Sequence, residues 1–140
     1  MPISLHHAQV FYPPGEEAQA RDFYGKALGL DEIHRPEALS ERDGIWYSAP
    51  PGHVHLSADR DLALHPRRHF ALRVDDLEAM RNRLRDRGAR FEEATPIPGW
   101  RRCYCGVREA HTPSSRGRRR PPEYVFDPFG NKIELDEIHE

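Results

Sequence analysis

Apolar and polar residues alternate in several short runs along the chain, and such runs are typical of β-strands with one buried face. The first run, residues 5–12, places Ala8, Val10 and Tyr12 on one face and His7, Gln9 and Phe11 on the other. The former set is mostly apolar and should pack under a helix. Similar runs at 30–34, 44–48, 53–57, 70–74, 90–94, 123–126 and 132–136 bring the number of predicted strands to eight.

Two segments have the spacing of an amphipathic helix instead. The first begins at the acidic pair 16–17, which suits the positive end of a helix dipole, and ends before Gly29. The second begins after Asp76, a suitable N-cap, and ends before Gly88. Their apolar stripes are Ala20, Phe23, Tyr24 and Ala27 in the first helix and Leu77, Met80 and Leu84 in the second.

The order strand, helix, strand, strand, strand occurs twice in this prediction. His7 and His69 begin the two copies at a separation of 62 residues, and His55 and Glu134 end them at a separation of 79. The excess of 17 residues matches an irregular insertion at about 100–122. We therefore predict an α+β fold in which two βαβββ modules, at about 4–60 and 67–138, form a single domain of 140 residues.

Composition narrows the classes of partner. The chain is 37% hydrophobic and 31% charged, has a net charge of −2, and has no apolar run near the roughly 20 residues of a membrane span. We expect a cytoplasmic protein with no membrane or nucleic-acid partner. Cys103 and Cys105 are interpreted as free thiols, because two cysteines make neither a disulfide framework nor a zinc set. The arginine-rich run 116–120 lacks interleaved aromatic residues and is interpreted as a solvated loop or a lid.

Histidine is the unusual component, with nine residues in the chain. Four potential ligands fall at matching positions of the two modules, on the faces away from the helices: His7, His55, His69 and Glu134. If the two sheets pair into one curved surface, these side chains share a concavity. Three imidazoles and a carboxylate suit Fe(II), Mn(II), Ni(II), Zn(II) or Co(II), and a metal would give Glu134 the partner that a buried charge needs.

The other five histidines and His53 differ in how they relate to these positions. His53 shares a face with His55 and is the alternative ligand. The remaining five have no symmetric counterpart and are interpreted as surface or cap residues: His6, His34, His65, His111 and His139.

Three motifs resemble those of the vicinal oxygen chelate superfamily, the group of glyoxalases, bleomycin-resistance proteins and extradiol dioxygenases. They are the helix end Phe23–Leu30, the helix start Val74–Leu77 and the closing segment Asp127–Leu135. The resemblance covers most of the chain outside the insertion. It implies paired βαβββ modules that form a cupped mixed sheet, with the helices on its outer face.

The resemblance also implies metal ligands at His7, His69 and Glu134, with His55 at the fourth family position. It implies an enzyme in which a small-molecule substrate chelates the metal through two adjacent oxygens, and in which Glu134 is a ligand or a base. A histidine at position 55 favours four protein ligands, and hence a lyase or isomerase over an extradiol-type dioxygenase. A metal-free protein that binds an antibiotic or another small molecule is the alternative of a different class.

Further residues on the inward faces are predicted to contact the substrate. Gln9 and Arg73 would orient an anionic or carbonyl group, whereas Phe11, Trp46 and Tyr47 would wall the pocket. We expect a homodimer, in which the modules either pair within one chain or swap between two chains.

Overall fold

The computed structural model describes residues 1–93 and 123–137. Within these ranges the elements follow the order strand, helix and three strands twice, which confirms the predicted α+β fold of two βαβββ modules. The predicted lid and the two cysteines lie outside the described residues. None of the helices in the described ranges is long and apolar enough to cross a membrane.

The strand boundaries differ from the sequence predictions by no more than two residues. The strands are β1 His7–Tyr12, β2 Asp31–Ile33, β3 Gly44–Ala49, β4 Gly52–Ala58, β5 His69–Val74, β6 Arg90–Glu93, β7 Glu123–Phe126 and β8 Lys132–Glu137. The helices are α1 Glu17–Ala20, which continues as a π-helical segment Arg21–Ala27, a 3₁₀ turn Glu37–Leu39, and α2 Leu77–Asp86.

The first helix widens after its opening turn. The backbone N–H of Leu28 donates to the carbonyl of Phe23 at 2.8 Å, an i to i−5 bond that belongs to a π-helix rather than an α-helix. Gly29 then takes a φ of +79°, where a residue without a Cβ can end the helix. The predicted apolar stripe is buried, as expected.

The first sheet has the strand order β1-β4-β3-β2, with β1 parallel to β4 and the other pairs antiparallel. Its register places His7 beside His53 and Gln9 beside His55, while Trp46 lies opposite His55 on β3. Paired residues point to the same side of a sheet, so this face is polar and aromatic. The opposite face is the core under the helix, and its buried members are Tyr12, Ile45, Tyr47, Val54 and Leu56.

The chain divides into two compact units: residues 1–70 with 126–132, and residues 71–125 with 133–140. The second unit includes α2, which Asp76 caps as predicted by accepting a hydrogen bond from the N–H of Ala79 at 2.9 Å. The second sheet has the order β5-β8-β7-β6. Buried apolar side chains of this unit are Leu77, Leu84, Val125, Ile133 and Leu135.

Candidate functional site

Four histidine rings lie together on the polar face of the first sheet. His55 is only 4% exposed, and its ring is stacked between Trp46 at 3.8 Å and His7 at 4.1 Å, measured between ring centroids. The ring of His53 lies 5.5 Å from that of His55, with Nδ1 of the former 3.3 Å from Nε2 of the latter. We refer to His6, His7, His53 and His55 as the histidine cluster.

His6 enters this cluster although its position in the sequence gave no reason to expect it there. Its Nδ1 lies 2.9 Å from Nδ1 of His7, and its ring lies 5.1 Å from that of His53. Strand β1 begins at His7, so the side chain of His6 is not bound by the alternation that separates neighbours within a strand. The only sequence signal was the doubled histidine directly before the strand.

The electrostatic environment keeps His55 neutral. Burial, followed by the neighbouring imidazoles of His7, His53 and His6, lowers the pKa of His55 from its ordinary value near 6.5 to about 4. A neutral imidazole has one N–H donor and one nitrogen with a free lone pair, and that is the form that binds a metal ion.

The donor set therefore fits a first-row metal ion, whereas the present ring orientations do not. The rings of His7 and His55 are inclined by only 17°, so their nitrogen lone pairs lie in nearly parallel planes and do not converge. Within residues 1–93 and 123–137, no three His, Cys, Asp or Glu side chains are arranged to hold a metal ion. His7 is exposed, so its ring has room to turn out of the stack.

The remaining predicted ligands, His69 and Glu134, lie in different units. His69 is exposed at the start of β5, with its Nδ1 3.0 Å from the carbonyl oxygen of Arg67. Glu134 is half-buried between the fully buried residues Ile133 and Leu135, in the alternation that the sequence predicted. The structure brings His7 and His55 together, and the convergence of all four ligands stays a prediction.

Three predicted substrate-contacting residues keep accessible positions. Gln9 is exposed on β1 and donates a hydrogen bond from its side-chain amide to the hydroxyl of Ser57. Phe11 is half-buried on the same strand, and Arg73 is exposed on β5. Each of them could therefore contact a small molecule.

The structure corrects the prediction that Trp46 and Tyr47 wall the same pocket. Adjacent residues of a strand point to opposite faces, and only Trp46 lies with the histidine cluster. Tyr47 is 1% exposed in the core, with its ring 6.0 Å from that of Tyr24, and burial raises its pKa to about 12.

A cavity of about 160 Å³ lies beside β1 in the first unit. The linker between β4 and β5 comprises residues 59–68. The cavity walls come from residues 8–11 of β1, residues 62–65 and 68 of this linker, residues 69–70 of β5 and the turn 130–132. Gln9, Phe11 and His69 all border it. We refer to it as the linker cavity.

A second polar group in this unit was missed by the sequence analysis. Asp127 is 4% exposed and accepts four hydrogen bonds: from the Tyr24 hydroxyl at 2.6 Å, the Asn131 side chain at 2.7 Å, and the backbone N–H groups of Phe129 at 2.9 Å and Asn131 at 2.8 Å. Burial raises the pKa of Asp127, and these hydrogen bonds oppose the rise. We refer to Tyr24, Asp127 and Asn131 as the carboxylate cluster.

The family model described as the glyoxalase/bleomycin resistance protein/dioxygenase superfamily matches residues 4–135. A glyoxalase family protein from Bacillus anthracis has a similar structure, with a TM-score of 0.77 and 27% sequence identity over 99% of this chain and 98% of that one. No curated protein matches the sequence.

Two further solved structures share the fold at lower identity. The fosfomycin resistance protein FosX from Listeria monocytogenes has a TM-score of 0.67 at 13% identity, over 99% of this chain and 96% of that one. Lactoylglutathione lyase from Agrobacterium tumefaciens has a TM-score of 0.60 at 16% identity, over 98% of this chain and 95% of that one.

Proposed function

Because the chain belongs to the glyoxalase/bleomycin resistance protein/dioxygenase superfamily, we propose that it is a metal-dependent enzyme that acts on a small molecule. The observation that supports this most directly is the histidine cluster, in which a buried, neutral His55 lies against the accessible His7. Burying imidazoles side by side on one face of a sheet costs free energy, because they lose contacts with water. Such a cluster is therefore typical of a site that binds a ligand.

We propose that His7, His69 and Glu134 hold a divalent ion of Fe, Mn, Ni, Zn or Co, with His55 at the fourth position and His53 as the alternative to it. Such an ion, when bound, acts as a Lewis acid toward two adjacent oxygens of a substrate. Residues of the chain would orient the substrate and would accept a proton from its carbon next to the chelating oxygens. Glu134 is the carboxylate that would accept this proton at Oε when it is not a ligand.

The reaction that this residue set favours is a lyase or isomerase reaction. A fourth protein ligand at position 55 would leave fewer open coordination sites for oxygen than the two-histidine, one-carboxylate set of a dioxygenase does. Gln9 and Arg73 would orient the substrate, and Phe11 and Trp46 would contact its apolar part. We further propose that the protein acts as a cytoplasmic homodimer.

A metal-free small-molecule binding protein is the second candidate. The stacked rings of Trp46, His55 and His7 support it, because a continuous aromatic surface can pack against a flat ligand.

Metal analysis of protein purified without a nickel column separates the two candidates. The enzyme proposal expects about one equivalent of a divalent metal per chain, present on purification or taken up from added Fe(II), Mn(II), Ni(II), Zn(II) or Co(II). Less than about 0.2 equivalents with no uptake would refute the metal-dependent enzyme and favour the metal-free protein.

A pair of histidine variants tests the ligand assignment. His69→Ala should weaken metal binding at least about tenfold, because it removes a proposed ligand. His65→Ala is the matched control, since His65 is an exposed linker residue whose Nδ1 accepts the backbone N–H of Arg67 at 3.1 Å. Isothermal titration calorimetry with Zn(II) would measure both, and equal losses would contradict the assignment.

A further inference from the structure

The linker cavity is positively charged at its walls. Its bordering residues include Arg68 and Lys132, which carry cationic side chains, and the imidazole residues His65 and His69. None of the described residues that border it is an aspartate or a glutamate. A concave site with cations and no carboxylate favours a negatively charged occupant.

Arg68 is positioned by the linker itself. Its Nη1 donates to the carbonyl of Ala63 at 2.7 Å, which fixes the guanidinium at the cavity wall. A guanidinium has five N–H donors, so this single bond leaves it able to bind an oxyanion. Nζ of Lys132 lies 3.3 Å from the carbonyl oxygen of Pro66, another linker residue.

The acidic residues of the linker are engaged elsewhere. Asp59 accepts the backbone N–H of Asp61 at 2.8 Å, and Asp61 accepts that of Ala63 at 2.9 Å. Neither carboxylate borders the cavity. These local bonds hold the linker in shape, with both carboxylates outside the cavity lining.

The rest of the lining is mostly apolar, with Gln9 and Asn131 as its uncharged polar members, and it limits the size of the occupant. At about 160 Å³ the cavity is close to the roughly 150 Å³ of an engineered apolar cavity that binds benzene, so a body of about six non-hydrogen atoms fits. The apolar residues that border it include Val10, Phe11, Leu62, Leu64 and Phe70.

We infer that the linker cavity binds a small organic acid, whose carboxylate or phosphonate lies against Arg68 and Lys132 and whose short apolar body lies against Phe11 and Phe70. The inference rests on the proposed function in one respect: because His69 borders the cavity, it assigns this acid as the substrate class of the same site. Binding of the anion itself does not require the metal.

Calorimetry on the chelator-treated, full-length protein tests this directly. The probes are butyrate, propylphosphonate and butyramide, the last of which is the neutral match of butyrate. We expect both anions to bind with a dissociation constant below about 10 mM at low salt and at least about tenfold more tightly than butyramide. Raising the ionic strength should weaken the binding of both anions and leave the binding of butyramide unchanged.

Two arginine variants locate the site. Arg68→Gln should weaken the binding of butyrate at least about fivefold. Arg67→Gln is the control, because Arg67 is exposed and does not border the cavity, and it should change the affinity for butyrate less than about twofold. Equal effects, butyramide bound as tightly as butyrate, or no anion binding at about 20 mM would each overturn the inference. Loss of metal uptake with retained anion binding would instead refute only the proposed function.

Discussion

The histidine cluster and the carboxylate cluster are two groups of polar side chains in the same compact unit, and they differ in how their hydrogen-bonding capacity is used. Both oxygens of Asp127 accept bonds, and every partner belongs to the unit itself. In the histidine cluster the rings are stacked, and the two short nitrogen–nitrogen contacts join histidines to histidines.

This difference separates a structural role from the functional role that we propose. A buried carboxylate with four donors is satisfied by the fold, so it stabilises the chain and has little capacity left for a ligand. Imidazoles paired mainly with one another have ring nitrogens that could instead coordinate a metal ion. Substitutions should therefore lower stability in one cluster and ligand binding in the other.

Replacing Asp127 should have the largest effect on stability. Asp127→Ala removes four hydrogen bonds and leaves the buried donors of Tyr24 and Asn131 without their acceptor, so we expect a loss of about 3–5 kcal/mol in the free energy of unfolding. Urea denaturation would measure it. Asp59→Ala, at an exposed aspartate with one local bond, is the control and should cost less than about 1 kcal/mol. Equal losses would remove the distinction between the clusters.

Removing one donor should have an intermediate effect. Tyr24→Phe deletes the hydroxyl that donates to Asp127 at 2.6 Å and keeps the buried ring, so we expect a loss of about 1.5–3 kcal/mol. Tyr47→Phe is a matched control, because the buried hydroxyl of Tyr47 has no hydrogen-bond partner within the described residues. It should be neutral or slightly stabilising, and a larger loss for Tyr47→Phe than for Tyr24→Phe would contradict this account.

The smallest stability effect is expected in the histidine cluster, and it depends on pH. His55→Phe keeps a ring between Trp46 and His7, so in chelator-treated protein at pH 7.5 stability should change by less than about 1 kcal/mol. Because the folded pKa of His55 is about 4 against an ordinary value near 6.5, the unfolded chain binds the proton more readily between these values. Wild-type stability should therefore fall as the pH falls from about 6.5 to about 4.

Denaturation across this pH range would measure the effect, and His55→Phe should lose less stability than the wild type. His34→Phe, at an exposed histidine outside the cluster, should keep the wild-type pH dependence. If His55→Phe also kept it, the proton-linked destabilisation would have to lie elsewhere.

Local patterns predicted the elements of this fold well, because strand alternation and helical stripes depend on near neighbours. They did not predict the π-helical segment Arg21–Ala27, since the spacing that buries Phe23 and Tyr24 suits an α-helix equally. The place of Tyr47 was predictable from its neighbour Trp46, because adjacent side chains of a strand point to opposite faces.

The site was predictable only where two strands share a register. The pairing of β1 with β4 brings His7 close to His55, as the inward faces indicated. His6 precedes its strand and followed no periodic rule. The carboxylate cluster joins Tyr24 to a turn 103 residues later, and the turn sequence gives no sign of that partner. The linker cavity likewise depends on how β1, the linker and the turn pack together.

The same long separation has a consequence for biosynthesis. Asp127 and Asn131 bond to Tyr24 and Phe11 across 103 and 120 residues, so the first unit needs a segment that is made only after residues 71–125. At about 5–20 residues per second, residues 1–70 wait at least several seconds for that turn, with the Tyr24 hydroxyl lacking its native acceptor. A nascent or truncated chain that stops at residue 70 is therefore an incomplete unit, exposed to chaperones and proteases until the turn at 127–131 is present.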